Sequence, residues 1–268
     1  MTVKCIPSVF HKKGLCIILA IVLCMLTFSS SALADTAPVV IDLDDSGIAA
    51  DSPGVFTEGS VVTITLPGEY LLRGSLSNGQ VIVDCETDGK VRLFLKGVSI
   101  HCENGPALHI KKCKPRLTID LAEDTVNELS DGADYADKES NVDGVIFSKS
   151  DVTITGTGTL NITGAYRNGI VSKDDLRIKG GTINVSAVKN GIVGKDCVEI
   201  FDGTITVRAG NDGIKTTKDD EDQGHILMEG GTVSIQCGDD PLSFVRGFSL
   251  TGGTVETSVD PSMKPSGD

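Results

Sequence analysis

Two short motifs recur in phase along this chain, and their periodicity restricts the possible folds more than any other feature. A Gly-Thr pair returns at intervals of 23, 22, 28 and 22 residues, from Gly158 to Gly253. A second motif, Asp or Asn followed by Gly and an aliphatic residue, keeps the same phase. Its first residues are Asp143, Asn168, Asn190 and Asp212, with a degenerate copy at Asp240. A fixed period of this length is typical of a solenoid.

The segments between the motifs alternate between apolar and polar residues, as in Leu176-Arg177-Ile178 and Val198-Glu199-Ile200. This period of two indicates β-strands, and no helical stripe interrupts them. Each repeat is therefore predicted to be one coil of a single-stranded parallel β-helix, an all-β fold whose coils stack about 4.8 Å apart. Gly-Gly-Thr and Asn-Gly are predicted to mark corners that need a positive φ. The apolar residues predicted to point inward are Ile178, Val185, Ile200, Val207, Leu227 and Ile235.

Residues 1–34 have the features of a secretory signal peptide. Basic residues up to Lys13 precede an apolar run of 14 residues, which is too short to span a bilayer comfortably, and Ala32-Leu33-Ala34 is a cleavage motif. We expect a secreted protein, either free or associated with the cell surface, with no stable membrane insertion. The predicted boundaries are a signal peptide at 1–34, a β-helix domain at 35–259 and a disordered tail at 260–268.

Removing the three lysines of residues 1–34 takes the net charge from −13 to −16. This negative charge argues against nucleic acid, whose affinity for proteins depends on neutralising phosphates. It also argues against anionic partners unless a cation intervenes. Hard cations such as Ca²⁺ take oxygen ligands, so an acidic secreted chain suggests calcium. Solubility alone is the alternative explanation of the charge.

Stacking the coils turns equivalent positions into rows of similar side chains. One predicted calcium row lies at the turn after the second motif and consists of Asp174, Asp196, Asp219 and Asp220. A second candidate row consists of the corner residues Asp143, Asn168, Asn190 and Asp212. Each row has an alternative interpretation. The acidic turn residues follow a basic row and could form an ion-pair ladder with it, and stacked Asn side chains could bond only to each other.

The basic row supplies the predicted sugar contacts, because Lys149, Lys173 and Lys195 recur at one position of successive coils. Tyr166 is the one aromatic candidate for a sugar, although it could instead cover a coil edge. No Ser/His/Asp group and no phosphate-binding loop is present, so no catalytic residue is assigned. Cys85 and Cys113 end equivalent strands of adjacent coils, where a disulfide is possible.

Several strings resemble the clostridial secreted carbohydrate-binding β-helix proteins. They include Gly68-Glu69-Tyr70-Leu71-Leu72-Arg73-Gly74, Asn127-Glu128-Leu129-Ser130-Asp131-Gly132 and Ile146-Phe147-Ser148-Lys149, followed by the Gly-Ile rows. The resemblance implies a right-handed parallel β-helix, similar to calcium-dependent pectate lyases, with bound calcium. It also implies binding of acidic plant polysaccharide and cellulose. Asn168 and Asn190 stand where that family usually has Asp.

Three functions fit these features. The first is a non-catalytic protein that binds an acidic plant cell-wall polysaccharide such as polygalacturonate through bridging calcium. The second is a calcium-dependent pectate lyase, which would need a lysine or arginine base. Carboxylates next to the lysine row favour charged lysines and therefore argue against the lyase. The third is a β-helix surface adhesin without a glycan ligand.

Overall fold

The computed structural model describes residues 37–136 and 141–265. The predicted signal peptide at 1–34 and the last three residues, 266–268, lie outside the described residues. Almost all regular structure in the described part is β-strand. No helix in these two ranges is long and apolar enough to cross a membrane.

The strands are short and evenly distributed along the chain. They are β1 (Val39–Leu43), β2 (Val55–Glu58), β3 (Val61–Ile64), β4 (Gly68–Leu76), β5 (Gln80–Asp84), β6 (Val91–Cys102), β7 (Leu108–Lys112), β8 (Leu117–Leu121), β9 (Val126–Asp131), β10 (Gly144–Ser148) and β11 (Val152–Gly156). They continue with β12 (Thr159–Gly164), β13 (Asn168–Ser172), β14 (Leu176–Ala187), β15 (Ile192–Gly194), β16 (Cys197–Ala209), β17 (Ile214–Lys215), β18 (His225–Met228), β19 (Thr232–Cys237), β20 (Leu242–Ser243), β21 (Gly247–Leu250) and β22 (Thr254–Val259). A single 3₁₀ turn, η1, covers Pro261–Met263.

Two sheets wind around one core. The nine-strand sheet has the order β2-β3-β5-β7-β10-β13-β15-β17-β20, and the thirteen-strand sheet contains all the other strands. Neighbouring strands are parallel except β2 and β3, which are antiparallel at the N-terminal end. The chain passes from one sheet to the other and returns once per coil. The predicted parallel β-solenoid is therefore confirmed, with about eight turns.

The core is a stack of aliphatic residues that repeat from coil to coil. Ile146, Ile170, Ile192 and Ile214 pair in register across the nine-strand sheet and are at most 1% exposed. Five of the six residues predicted to point inward are buried: Ile178, Val185, Ile200, Val207 and Ile235.

The prediction for Leu227 is wrong, because Ile226 and Met228 on either side of it are the buried residues. Three consecutive apolar residues leave the phase of the alternation undetermined. The phase is set instead by the pairing of Val198 with Ile226 across β16 and β18.

The two motifs require glycine for different structural reasons. Gly181 of a Gly-Gly-Thr motif has a φ of +91°, a conformation that L side chains rarely adopt. Gly169 of an Asn-Gly motif has no positive φ, and the prediction of one there is wrong. A Cβ at Gly169 would instead lie 2.3 Å from Val185 Cγ1 and 2.7 Å from the carbonyl oxygen of Gly191. The second motif therefore needs glycine for space against the next coil and the core.

The five described cysteines are all free thiols. The disulfide considered between Cys85 and Cys113 is not formed, and burial raises the pKa of each of these two thiols to about 11.

At the C-terminal end, the tail predicted to be disordered contains the η1 turn. Asp260 caps this turn by accepting a 3.0 Å hydrogen bond from the backbone N–H of Ser262.

Candidate functional site

The outer face of the nine-strand sheet carries a straight row of side chains from successive coils. Phe147 pairs in register with Val171, Val171 with Val193, and Val193 with Lys215. Because side chains alternate along a strand, these residues point away from the core that their neighbours fill. The row is apolar in its first three coils and becomes basic at Lys215.

The lysines predicted to bind sugar stand on the same face, two residues further along each strand. The strands pair in register up to Ser148 and Ser172, so Lys149, Lys173 and Lys195 occupy equivalent places in adjacent coils. The structure therefore brings the three lysines side by side. Lys149, however, lines a different cavity together with His109 and Lys111. There, burial followed by the charges of Lys111 and Lys149 lowers the pKa of His109 to about 4.

A groove of about 430 Å³ runs along this face, and Lys173, Lys195 and Lys215 all line it. Lys173 Nζ lies 3.6 Å from Asp143 Oδ1, and Lys215 Nζ lies 2.6 Å from Asp212 Oδ2. Lys195 has no ion-pair partner among the described residues. Three ammonium groups against two carboxylates give this groove a positive charge on a strongly negative protein.

The predicted corner row forms a continuous hydrogen-bonded ladder. Asn168 is 4% exposed, and its Nδ2 donates to the carbonyl oxygen of Asp143 at 2.8 Å. Its Oδ1 accepts hydrogen bonds from the backbone N–H and Nδ2 of Asn190, at 3.1 and 2.9 Å. Asn190 Oδ1 accepts from the N–H of Asp212 at 3.2 Å, and Asp212 Oδ1 accepts from the N–H of Asp240 at 3.3 Å. These oxygens bond the coils together and fit a calcium site poorly.

The turn after the lysine row brings carboxylates of adjacent coils together. Asp174 has its pKa raised first by burial and then by the negative charges of Asp151, Asp196 and Asp175. Asp196 is only 8% exposed, and its Oδ2 accepts a 2.8 Å hydrogen bond from Gln223 Nε2. The other oxygen, Asp196 Oδ1, is buried and has no hydrogen-bond partner. Facing carboxylates and an unsatisfied buried oxygen fit a cation.

The other two members of that predicted calcium row lie apart. Asp219 is 73% exposed and pairs with Arg246 at 3.0 Å, while Asp220 is 61% exposed and pairs with Lys218 at 3.0 Å. In the part of the chain that the structure describes, no three His, Cys, Asp or Glu side chains are arranged to hold a metal. The carboxylates available for a cation at this turn are therefore Asp174 and Asp196.

Arg177 pairs with the carboxylates of this acidic turn that are not in the predicted calcium row. Its guanidinium lies 3.5 Å from Asp151 Oδ2, 2.6 Å from Asp175 Oδ2 and 2.5 Å from Glu199 Oε2. Gln223 and Lys215 also belong to the site and were not predicted. Their signal in the sequence is weak, because Gln223 lies in the 28-residue repeat and Lys215 replaces a valine.

Tyr166, the predicted aromatic contact, belongs to a different cluster. Its ring stacks on Tyr135 with centroids 4.3 Å apart and an interplanar angle of 19°. Tyr135 Oη in turn donates to Asp131 Oδ2 at 2.6 Å. Tyr135 and Val142 pack against the outer face at Phe147 and Val171. Tyr166 thus packs in this cluster with Tyr135 and does not line the groove.

Three comparisons with known proteins found similar chains. Residues 58–264 match the model of a family described as carbohydrate-binding domain-containing protein. A protein of that description from Acetivibrio thermocellus is 39% identical over 224 residues, which cover 82% of this chain and 78% of the relative. A solved structure described as a polysaccharide lyase-like protein from C. thermocellum, in a gadolinium derivative, superposes with a TM-score of 0.73. It is 31% identical over 83% of this chain and 95% of that one.

Proposed function

The chain belongs to the family of carbohydrate-binding domain-containing proteins, and on that premise we propose that it is a secreted, non-catalytic protein that binds an acidic plant cell-wall polysaccharide such as polygalacturonate. The groove on the outer face of the nine-strand sheet carries this proposal. Its three lysines face two carboxylates, and once calcium neutralises Asp174 and Asp196 beside it, the groove attracts a polyuronate that the rest of this acidic surface repels.

The spacing of the lysines suits a polymer. Adjacent coils are separated by about 4.8 Å, which is close to the length of one sugar unit in an extended chain. A polyuronate that runs along the solenoid axis would therefore meet one coil per sugar and place carboxylates near Lys173 and Lys195. The valines between the lysines give the same groove an apolar surface for the sugar rings of a neutral chain such as cellulose.

Calcium is the second part of this proposal. Asp174 and Asp196 directly follow Lys173 and Lys195, so a Ca²⁺ ion held by these carboxylates lies beside the groove. The ion supplies a positive charge that a sugar carboxylate can share. The unsatisfied Asp196 Oδ1 supports this site.

The test compares binding of the mature protein to polygalacturonate and to cellulose, with calcium and with a chelator. The double variant Lys173→Met and Lys195→Met should weaken polygalacturonate binding about ten-fold, because two charge-assisted contacts are lost. Lys179→Met is the control, since Lys179 is exposed on the thirteen-strand sheet. Equal binding by the groove variant and wild type would contradict the proposed site, and binding that survives the chelator would contradict calcium bridging.

A polysaccharide lyase is the second candidate, and the similarity to a polysaccharide lyase-like structure favours it. Lys195 is the residue that this reaction would require as its base, because Lys173 and Lys215 both face carboxylates. Incubation with polygalacturonate and calcium decides between the two. Ultraviolet absorbance from an unsaturated sugar product, lost in Lys195→Met, would establish the lyase.

A further inference from the structure

A second basic cavity lies on the other sheet, away from the groove. It has a volume of about 540 Å³ and is lined by Glu69, Lys90, Arg92, Arg116 and Thr118, with Pro115 at one side. We propose that this cavity, termed the basic notch, binds the phosphate group of a phosphorylated sugar or glycan. The inference does not rest on the proposed function, because the notch and the groove share no residue.

The coil stacking forces the positive charges of the notch together. Val91 pairs in register with Leu117, so the preceding residues Lys90 and Arg116 occupy the same place in adjacent coils. Like charges directly opposite each other on neighbouring strands destabilise a sheet. Neither Lys90 nor Arg116 has an ion-pair partner within residues 37–136 and 141–265.

Lys90 and Arg116 are followed in their row by a carboxylate, Asp151, which already has other partners. Asp151 follows Arg116 in this row, because Leu117 pairs with Val152. Its Oδ2 lies 3.5 Å from Arg177 Nη1, and its Oδ1 accepts a hydrogen bond from the N–H of Asp175. The charges of Lys90 and Arg116 are therefore available to an external anion.

Arg92 adds a donor to the notch. Its Nη2 forms an ion pair with Asp120, and its guanidinium carbon lies 4.7 Å from the centre of the Phe94 ring, so the side chain is held in place. Its Nε is buried and has no hydrogen-bond acceptor. The Arg92 side chain as a whole is 41% exposed, so the outer part of its guanidinium can donate to an oxyanion in the notch.

The charge balance indicates the kind of anion. Glu69 Oε1, 4.0 Å from Arg92 Nη1, and Asp120 both pair with Arg92, so three cations face two carboxylates in the notch, and the two cations without an ion-pair partner are Lys90 and Arg116. A phosphate monoester carries nearly two negative charges at neutral pH, and its oxygens can accept hydrogen bonds from both unpaired cations, Lys90 and Arg116. Guanidinium groups also bind phosphate oxygens in a bidentate manner. The cavity is larger than a phosphate group and leaves room for the sugar that carries it.

The test is calorimetric titration with inorganic phosphate, glucose 1-phosphate, galacturonate and glucose, in the presence of a calcium chelator. Wild type should bind both phosphates, and it should bind galacturonate more weakly. The double variant Lys90→Gln and Arg116→Gln should lose about ten-fold or more in phosphate affinity, since two charge-assisted contacts disappear. The control, Lys173→Gln with Lys195→Gln, makes the same charge change in the groove and should bind phosphate as wild type does.

Each other outcome overturns the inference. Equal losses in the two double variants would mean that phosphate responds only to net charge, and a loss only in the groove variant would place it elsewhere. Galacturonate that binds the notch more tightly than phosphate would refute the ligand class, and so would the absence of any phosphate binding. Thermal unfolding of both variants without ligand confirms that they fold. A failure here leaves polygalacturonate binding by the groove untouched.

Discussion

The corner row and the acidic turn are two stacks of oxygen-bearing side chains with the same period, yet they are built for opposite purposes. In the corner row, the side-chain oxygens of Asn168, Asn190 and Asp212 each accept a hydrogen bond from the next coil. In the acidic turn, Asp174 and Asp196 face each other, and the buried Asp196 Oδ1 has no hydrogen-bond partner. Asp143 Oδ1 of the corner row also lacks a hydrogen bond, but it lies 3.6 Å from Lys173 Nζ. The first row holds the coils together, whereas the second holds charge that a cation can neutralise.

The largest expected change in stability comes from a substitution in the corner row. Asn168→Ala removes the two hydrogen bonds accepted from Asn190 and the one donated to Asp143, in a buried place. We expect a loss of about 3 kcal/mol in the free energy of unfolding, measured by urea denaturation. Asn184→Ala is the matched control, because Asn184 also stacks on an asparagine but donates one bond, to Asn161 Oδ1 at 2.9 Å. Equal losses in the two variants would mean that the corner ladder has no special structural role.

The next effect tests the acidic turn through calcium. Calcium at 100 times its dissociation constant should stabilise the wild type by about 2.7 kcal/mol and raise the melting temperature accordingly. The double variant Asp174→Asn and Asp196→Asn should lose this response, whereas Asp219→Asn with Asp220→Asn should keep it. Loss of the response in the second variant alone would move the cation to the exposed loop of the long repeat.

The smallest effect is a pH dependence of the acidic turn without calcium. A carboxyl with a raised folded pKa binds its proton more tightly in the folded state, so its ionisation destabilises the protein. For Asp174 this cost is present above the raised pKa and disappears as the pH falls to the ordinary value of 3.8. Asp174→Asn should therefore be more stable than wild type at neutral pH, by a margin that shrinks on acidification.

The two stability curves are compared by chemical denaturation at a series of pH values in chelator. The control is Asp143→Asn, because Asp143 faces Lys173 at 3.6 Å and its neutralisation brings no such gain. A margin for Asp174→Asn that stays constant with pH would show that facing carboxylates do not carry the effect.

The sequence predicts the inner surface of this fold much better than the outer rows. An inward position must be apolar, so the alternation of apolar and polar residues identifies Ile178 and Ile200 directly. The alternation fails at Leu227, where three apolar residues are adjacent. An outer position can carry an apolar, charged or amide side chain, and the sequence does not show which partner that side chain contacts. The repeat pattern places Asp174 next to Asp196 but cannot show that the oxygens of Asn168 are taken by Asn190.

The prediction that Asp219 and Asp220 stack on Asp174 and Asp196 failed because their coil is irregular. Asp219 and Asp220 lie in the 28-residue repeat, whose six extra residues have no counterpart in the neighbouring coils to fix their register. The same insertion supplies Gln223, which reaches Asp196. Arg177 was overlooked because the adjacent repeats have Thr153 and Glu199 at its position, although its contacts with three carboxylates shape the turn. The repeat thus predicts shared features, while features of a single coil require the structure.

The glycines of the second motif limit how this solenoid can change over evolutionary time. A side chain at Gly169 would collide with both the core and the next coil, so the position must remain glycine while the coils pack this closely. Whole coils can nevertheless be duplicated or deleted, since each presents the same joint above and below. The length of the groove can then grow or shrink only in steps of one coil.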